Sequence, residues 1–101
     1  MGGDAGFDND VNNDGFDSEL KTDIDNSTEV EATVTVSSVD FRQWVRIVNQ
    51  GPGKLLYGPQ GKPKDTLVKG QGVTLNHGPD NKVYIIAESG VDCDVLIMES
   101  G

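Results

Sequence analysis

Cysteine, histidine and tryptophan each occur once in this chain of 101 residues. A single thiol, Cys93, cannot close an intrachain disulfide, so the stapled frameworks of small secreted domains are excluded. One His and one Cys offer no ligand spacing for zinc and no marked nucleophile–base pair. No apolar run approaches the roughly 18 residues of a membrane-spanning helix. No basic start leads into an apolar stretch, so neither a membrane nor a secretory signal is expected, and synthesis in the cytoplasm fits. Helical periodicity is missing throughout.

Basic residues are scarce where acids are dense. Residues 1–31 carry Asp4, Asp8, Asp10, Asp14, Asp17, Glu19, Asp23, Asp25, Glu29 and Glu31 against Lys21 alone, which accounts for the whole net charge of −9. Residues 32–101 carry seven acids and seven bases and are neutral. The apolar residues of the first third are few: Ala5, Phe7, Val11, Phe16, Leu20, Ile24 and Val30. Low hydrophobicity with high net charge leaves too little buried area to offset the entropy of ordering. Residues 1–31 are therefore expected to form an extended acidic arm and residues 32–101 a folded domain. An acidic arm on a neutral body argues against nucleic acid, because phosphate binding needs clustered bases, and Arg42, Arg46, Lys62, Lys64 and Lys69 are balanced by acids.

Within the arm, "DVNNDG" (10–15) places Asp10, Asn12, Asp14 and Gly15 at positions 1, 3, 5 and 6 of a calcium loop. The twelfth position, where a bidentate carboxylate closes the shell, is Lys21. Counting from Asp8 brings Glu19 to that position but puts Asn13 where the turn needs Gly. Asp10, Asn12 and Asp14 are thus weak metal candidates, and no metal or other cofactor is expected. "GFD" recurs at 6–8 and 15–17, too few copies for a stacked calcium repeat. The alternative is that Phe7, Phe16, Leu20 and Ile24 are anchors that bury in a partner's grooves while the carboxylates meet bases. An acidic segment without a core of its own needs a partner surface or calcium to order it.

The remainder reads as strands. "TEVEATVTV" (28–36) alternates apolar and polar residues, the period of a half-buried strand. "QWVRIVN" (43–49) and "KLLYG" (54–58) flank "GPG" and are expected to pair as a hairpin, with "PQGKPKD" (59–65) a loop. "GVTLN" (72–76), "KVYIIAE" (82–88) and "DVLIMES" (94–100) complete an all-β domain, a small antiparallel β-sandwich or open barrel. "VYIIA" and "VLIM" are apolar on both faces. One face packs on the core, and the other, carrying Tyr84, Ile86, Leu96 and Met98, is expected to be covered by another subunit.

Catalytic signals are weak. His77 sits in the turn "NHGPD", where a lone histidine is expected to be exposed and inert. Cys93 alternates with Val95 and Ile97 and reads as a small buried hydrophobe. "GPGKLLYG" and "KGQG" lack the spacing of a phosphate-binding loop. Asp92 and Asp94 read as a solvated face. Trp44, next to strand residues, reads as core more readily than as a platform for a sugar ring.

"WVRIVNQGPGKLLYGP" and "KGQGVTLNHGPDNKVYIIAESGVDCDVLIMES" together resemble the short β-domains of tailed-bacteriophage virion proteins. The matching positions are Val45 to Pro52, Tyr57 and Gly58, Gly72 to Leu75, Val83 to Gly90 and Val95 to Glu99, about the last 60 residues. The resemblance implies a non-enzymatic virion structural protein: a decoration (cement) protein of the head, or a fibre or tail component. Its partner would be the major capsid protein or another virion protein. Such domains often trimerise, so a homotrimer is expected. The alternative reading is a calcium-dependent or carbohydrate-binding β-module, with Asp10, Asn12 and Asp14 or Trp44 as its site.

Overall fold

Along "WVRIVN", Val45, Ile47 and Asn49 are buried while Trp44, Arg46 and Val48 are half-buried, the alternation a strand adopts between a core and an outer face. The same two-residue period recurs in most strands of the computed structural model, which describes residues 16–35, 39 and 41–101. The strands are β1 (Phe16–Ile24), β2 (Val30–Glu31), β3 (Trp44–Pro52), β4 (Leu55–Gly58), β5 (Asp65–Leu67), β6 (Gly72–Leu75), β7 (Tyr84–Ala87) and β8 (Cys93–Ser100). No helix occurs among the described residues.

The strands form two antiparallel sheets of four, ordered β1-β8-β3-β6 and β2-β7-β4-β5. Their inner faces share one core. Ile24, Val45, Ile47, Cys93, Val95 and Ile97 come from the first sheet, and Leu55, Leu67, Ile85 and Ala87 from the second. The all-β expectation holds, in its sandwich form.

Three expectations about local structure change. The first concerns the arm. Residues 16–24 form the edge strand β1, paired with β8 from Phe16↔Ser100 to Ile24↔Cys93, and Val30–Glu31 pairs with β7. Residues 16–31 therefore belong to the folded body and not to an arm. Three of the carboxylates that suggested an unfolded arm accept hydrogen bonds from backbone N–H groups that no ladder satisfies. Glu19 accepts from the Thr35 N–H at 2.7 Å. Asp25 accepts from Ser27 and Thr28 in a tight turn. Glu29 reaches the Gly61 N–H at 2.9 Å. Such charge-assisted bonds are among the stronger ones available to a surface side chain.

The second change concerns "GPG". β3 and β4 lie in different sheets, so Gly51, Pro52 and Gly53 carry a crossover and not a hairpin. A side chain at Gly53 would run into the Val91 carbonyl, so only glycine lets the crossover pass so close to the β7–β8 connection. The crossover's polar groups are satisfied by Asn49, which is fully buried. Its amide donates to the Gly53 and Leu67 carbonyls at 2.9 and 2.8 Å, and its carbonyl accepts from the Gly51 N–H at 2.8 Å. The third change is β5, a strand at the end of the presumed loop, which pairs with β4 in a hairpin. "TEVEATVTV" in turn keeps its inward alternation at Ala32 and Val34 but forms a ladder only at 30–31.

Two predictions follow from these bonds. Replacing Asn49 with Leu strands one donor and two acceptors in the interior. Each buried unsatisfied group costs about 1–3 kcal/mol, so stability in a denaturant titration should fall by about 3 kcal/mol or more. The second concerns pH. The Thr35 backbone N–H chiefly holds the Glu19 carboxyl below its ordinary pKa, and the Ser27 N–H does the same for Asp25. A lowered folded-state pKa contributes stability above the ordinary carboxylate range, which is lost as pH falls through the lowered value. The denaturation midpoint should therefore drop on acidification to about pH 3, and the combined Glu19→Gln and Asp25→Asn variant should show a shallower drop.

Candidate functional site

The outward side chains of the first sheet fall into rows fixed by its register. Phe16, Ser100 and Trp44 lie abreast, then Ser18, Met98, Arg46 and Thr74, then Leu20, Leu96, Val48 and Gly72. Phe16 and Leu20 are 55% and 53% exposed, high values for side chains of this size on a strand. Trp44, Val48, Leu96 and Met98 are half-buried beside them. Phe16 and Trp44 meet ring to ring, with centroids 6.4 Å apart and planes tilted by 55°. Six apolar side chains on three adjacent strands thus form one face that no other strand covers among the described residues.

Arg46 sits in the middle row, and the sheet moves its charge aside. Its Nη1 donates to the Thr74 hydroxyl at 3.0 Å, and its guanidinium lies over Gly72, where a Cβ would stand 2.7 Å from Nη2. The cation therefore borders the apolar patch toward β6 and leaves its centre unbroken. No carboxylate pairs with Arg46 among the described residues.

The sequence-predicted residues separate on this framework. Phe16 and Leu20 are exposed on the outer face, and Leu96 and Met98 lie beside them there. Ile24 is 4% exposed and belongs to the core, because the irregular register between Lys21 and Ile24 turns it inward. It is not a partner anchor. Tyr84 and Ile86 lie on the outer face of the other sheet, where Ile86 sits abreast of Leu56 and Thr66. The four residues expected to share one subunit interface thus occupy opposite sides of the sandwich, since β7 and β8 belong to different sheets. Phe7 and the metal candidates Asp10, Asn12 and Asp14 lie outside the described residues. Trp44 is on the surface and not in the core. Val48 and Arg46 were missed as site residues, although the alternation of "WVRIV" had already put them on the face of Trp44.

The chemistry-bearing residues are dispersed. Cys93 is buried, and burial, reinforced by Asp92, pushes its thiol pKa up, away from the reactive thiolate. Asp92 is exposed, and Asp94 accepts the Asp23 N–H at 3.2 Å. His77 is half-buried and not fully exposed as its turn suggested, with a buried Nδ1 that has no hydrogen-bond partner. It lines an open cleft of about 680 Å³ with Tyr57, Asp65, Asp80 and Lys82. No group of three or more His, Cys, Asp or Glu positioned to hold a metal occurs among the described residues.

A buried ion pair shapes the adjacent end of the sandwich. Arg42 is 6% and Glu99 3% exposed, with Nη1 and Oε2 3.2 Å apart. Arg42 also donates to the carbonyls of His77, Gly78 and Asn81, and Glu99 accepts from the Thr33 hydroxyl at 2.7 Å. A buried pair with this many added bonds fixes a connection in place. It is structural scaffolding for the turn that carries His77. No protein-family model matches the chain, and no curated protein is similar to it.

The separation of exposed face from core has a direct consequence for stability. Ile24→Ala should cost about 2–4 kcal/mol, the range for truncating a buried aliphatic side chain. Leu20→Ser, on the exposed face, should stay within about 0.5 kcal/mol of the parent in the same denaturant titration.

Proposed function

We propose that this is a non-enzymatic bacteriophage virion structural protein, a capsid decoration (cement) protein that binds the assembled head. The observation that carries the reading is the apolar outer face of Phe16, Leu20, Trp44, Val48, Leu96 and Met98. A rigid sheet presenting several large apolar side chains marks an interaction surface, and a decoration protein needs to attach to a surface. The resemblance of residues 45–99 to virion β-domains supports the class of partner, the major capsid protein or another virion protein. The dispersal of His77, Cys93 and the acids of the body supports a binding role over a catalytic one. Residues 1–15 hold Asp4, Asp8, Asp10 and Asp14 and no Lys or Arg, a composition suited to basic grooves on a shell.

The reading includes a homotrimer, with Tyr84, Ile86 and Leu56 on the second sheet's outer face as the self-contact. That arrangement leaves the first sheet's face for the shell.

Sedimentation with assembled, DNA-filled heads of the phage that encodes the protein tests this reading. The protein should pellet with heads and be released progressively as salt rises, because part of the attachment is between exposed charges. A low-resolution reconstruction of the decorated heads should show its density in threes. Leu20→Ser combined with Met98→Ser should abolish pelleting, whereas His77→Ala combined with Cys93→Ser should not affect it. Failure of the parent protein to pellet, or loss of binding only in the His77/Cys93 variant, would overturn the proposal.

A further inference from the structure

The end of β4, the start of β5, the end of β6 and the β6–β7 connection enclose the open cleft of about 680 Å³. Small-molecule sites commonly measure about 300–1,000 Å³. Tyr57 of β4 and Asp65 of β5 are cross-strand partners, Leu75 closes β6, and the connection supplies His77, Asp80 and Lys82.

Both sides of the cleft are held by bonds of the protein's own. Arg42 donates to the carbonyls of His77, Gly78 and Asn81, and Glu99 holds Arg42 from β8. On the β4 side, the Lys64 N–H donates to the Tyr57 carbonyl and the Lys62 N–H to the Pro59 carbonyl. A site fixed in advance loses little freedom when a ligand enters.

The polar side chains of the cleft are uncommitted. His77 Nδ1 is buried without a hydrogen-bond partner among the described residues, and a buried group of that kind calls for an explanation. The side chains of Tyr57, Asp65, Asp80 and Asn81 make no hydrogen bond among the described residues. Lys82 lies 3.7 Å from Glu31 and stays 56% exposed.

This set discriminates by charge and by donor count. An anion would meet Asp65 and Asp80. An organic ammonium would meet Lys82, and having donors alone it would leave the Lys82 donors unserved. A hydroxyl both donates and accepts, so a neutral polyhydroxyl compound can serve the carboxylates, the ammonium and either tautomer of His77 together. Tyr57, Leu75 and Val83 belong to the core or pack on it, and they give the cleft an apolar side. An aromatic ring there suits the C–H face of a pyranose.

We infer that this cleft binds a neutral saccharide, with a pyranose ring against Tyr57 and its hydroxyls shared among Asp65, Asp80, Lys82 and His77. None of Phe16, Leu20, Trp44, Val48, Leu96 and Met98 lines it. Sugar binding is therefore a separate activity that does not use the face proposed for attachment to a shell.

Two-dimensional NMR of the full-length protein tests the inference, with maltotriose, cellotriose, chitotriose, mannotriose and lactose as probes. At least one should give saturable amide shifts centred on Tyr57, Asp65, His77 and Lys82, with a Kd on the order of 1 mM. Asp80→Ala, a change at an exposed position, should weaken that binding about tenfold or more, and so should Tyr57→Leu. Leu20→Ser should leave it unchanged. Spermidine and inorganic phosphate should give no saturable shifts at these residues. Silence from every sugar at about 20 mM would overturn the inference. So would tighter binding of spermidine or phosphate in the cleft, or sugar binding that neither Asp80→Ala nor Tyr57→Leu weakens. Head binding is measured by sedimentation, so failure here leaves the proposed function standing, and failure there leaves this site standing.

Discussion

Connections that pass from one sheet to the other must leave their ladders, and this constraint organises the whole sandwich. Among the described strands only β4 and β5 are consecutive neighbours in a sheet, so nearly every connection crosses. A crossing backbone loses its hydrogen-bond partners at the rim of the core, where an unsatisfied group is expensive. Two buried side chains resolve this at the two ends of β3. At one end Asn49 binds both the β3–β4 crossover, through Gly51 and Gly53, and the β5–β6 crossover, through Leu67. At the other, Arg42 binds three carbonyls of the β6–β7 connection and is itself held by Glu99 on β8. With the crossovers fixed, the register of β3 against β8 is fixed, and with it the set of side chains that point outward.

How much of this could be read from residues alone depended on the range of the interaction. β3, β6, β7 and β8 were legible as short runs of β-branched and other apolar residues bounded by Gly, Pro and Asn turns, which a sequence displays directly. The destination of each strand was not legible. "GPG" between two apolar runs looks like a hairpin turn, and what makes it a crossover is the buried Asn49 amide, whose partners include a carbonyl 18 residues away. Likewise "VYIIA" and "VLIM" were correctly read as two-faced. That their outer faces point in opposite directions follows from sheet membership, which no local pattern encodes.

The acidic first third shows a different limit. Charge counting treats every carboxylate as a solvated, repelling group, and on that basis β1 should not form. In the fold Glu19, Asp25 and Glu29 are acceptors for backbone N–H groups at Thr35, Ser27, Thr28 and Gly61. They stabilise the edge of the sandwich instead of opposing it. Lys21, which spoils the calcium register from Asp10, has a structural place as well: its Nζ lies 3.3 Å from the Thr35 hydroxyl and 3.6 Å from Glu19. The alternation of Phe16, Ser18 and Leu20 against Asp17, Glu19 and Lys21 was a strand signal, hidden beneath an unfavourable total charge.

Two apolar faces on opposite sides of a sandwich create a hazard that any reading of this protein has to meet. A contact between one copy's first face and the next copy's second face is heterologous, and faces about 180° apart do not close into a ring but repeat as an open stack. Each face taken alone can be used safely. The second can make a closed trimer only by meeting its neighbours near one edge, and the first can meet a shell only while free copies are kept from stacking on it.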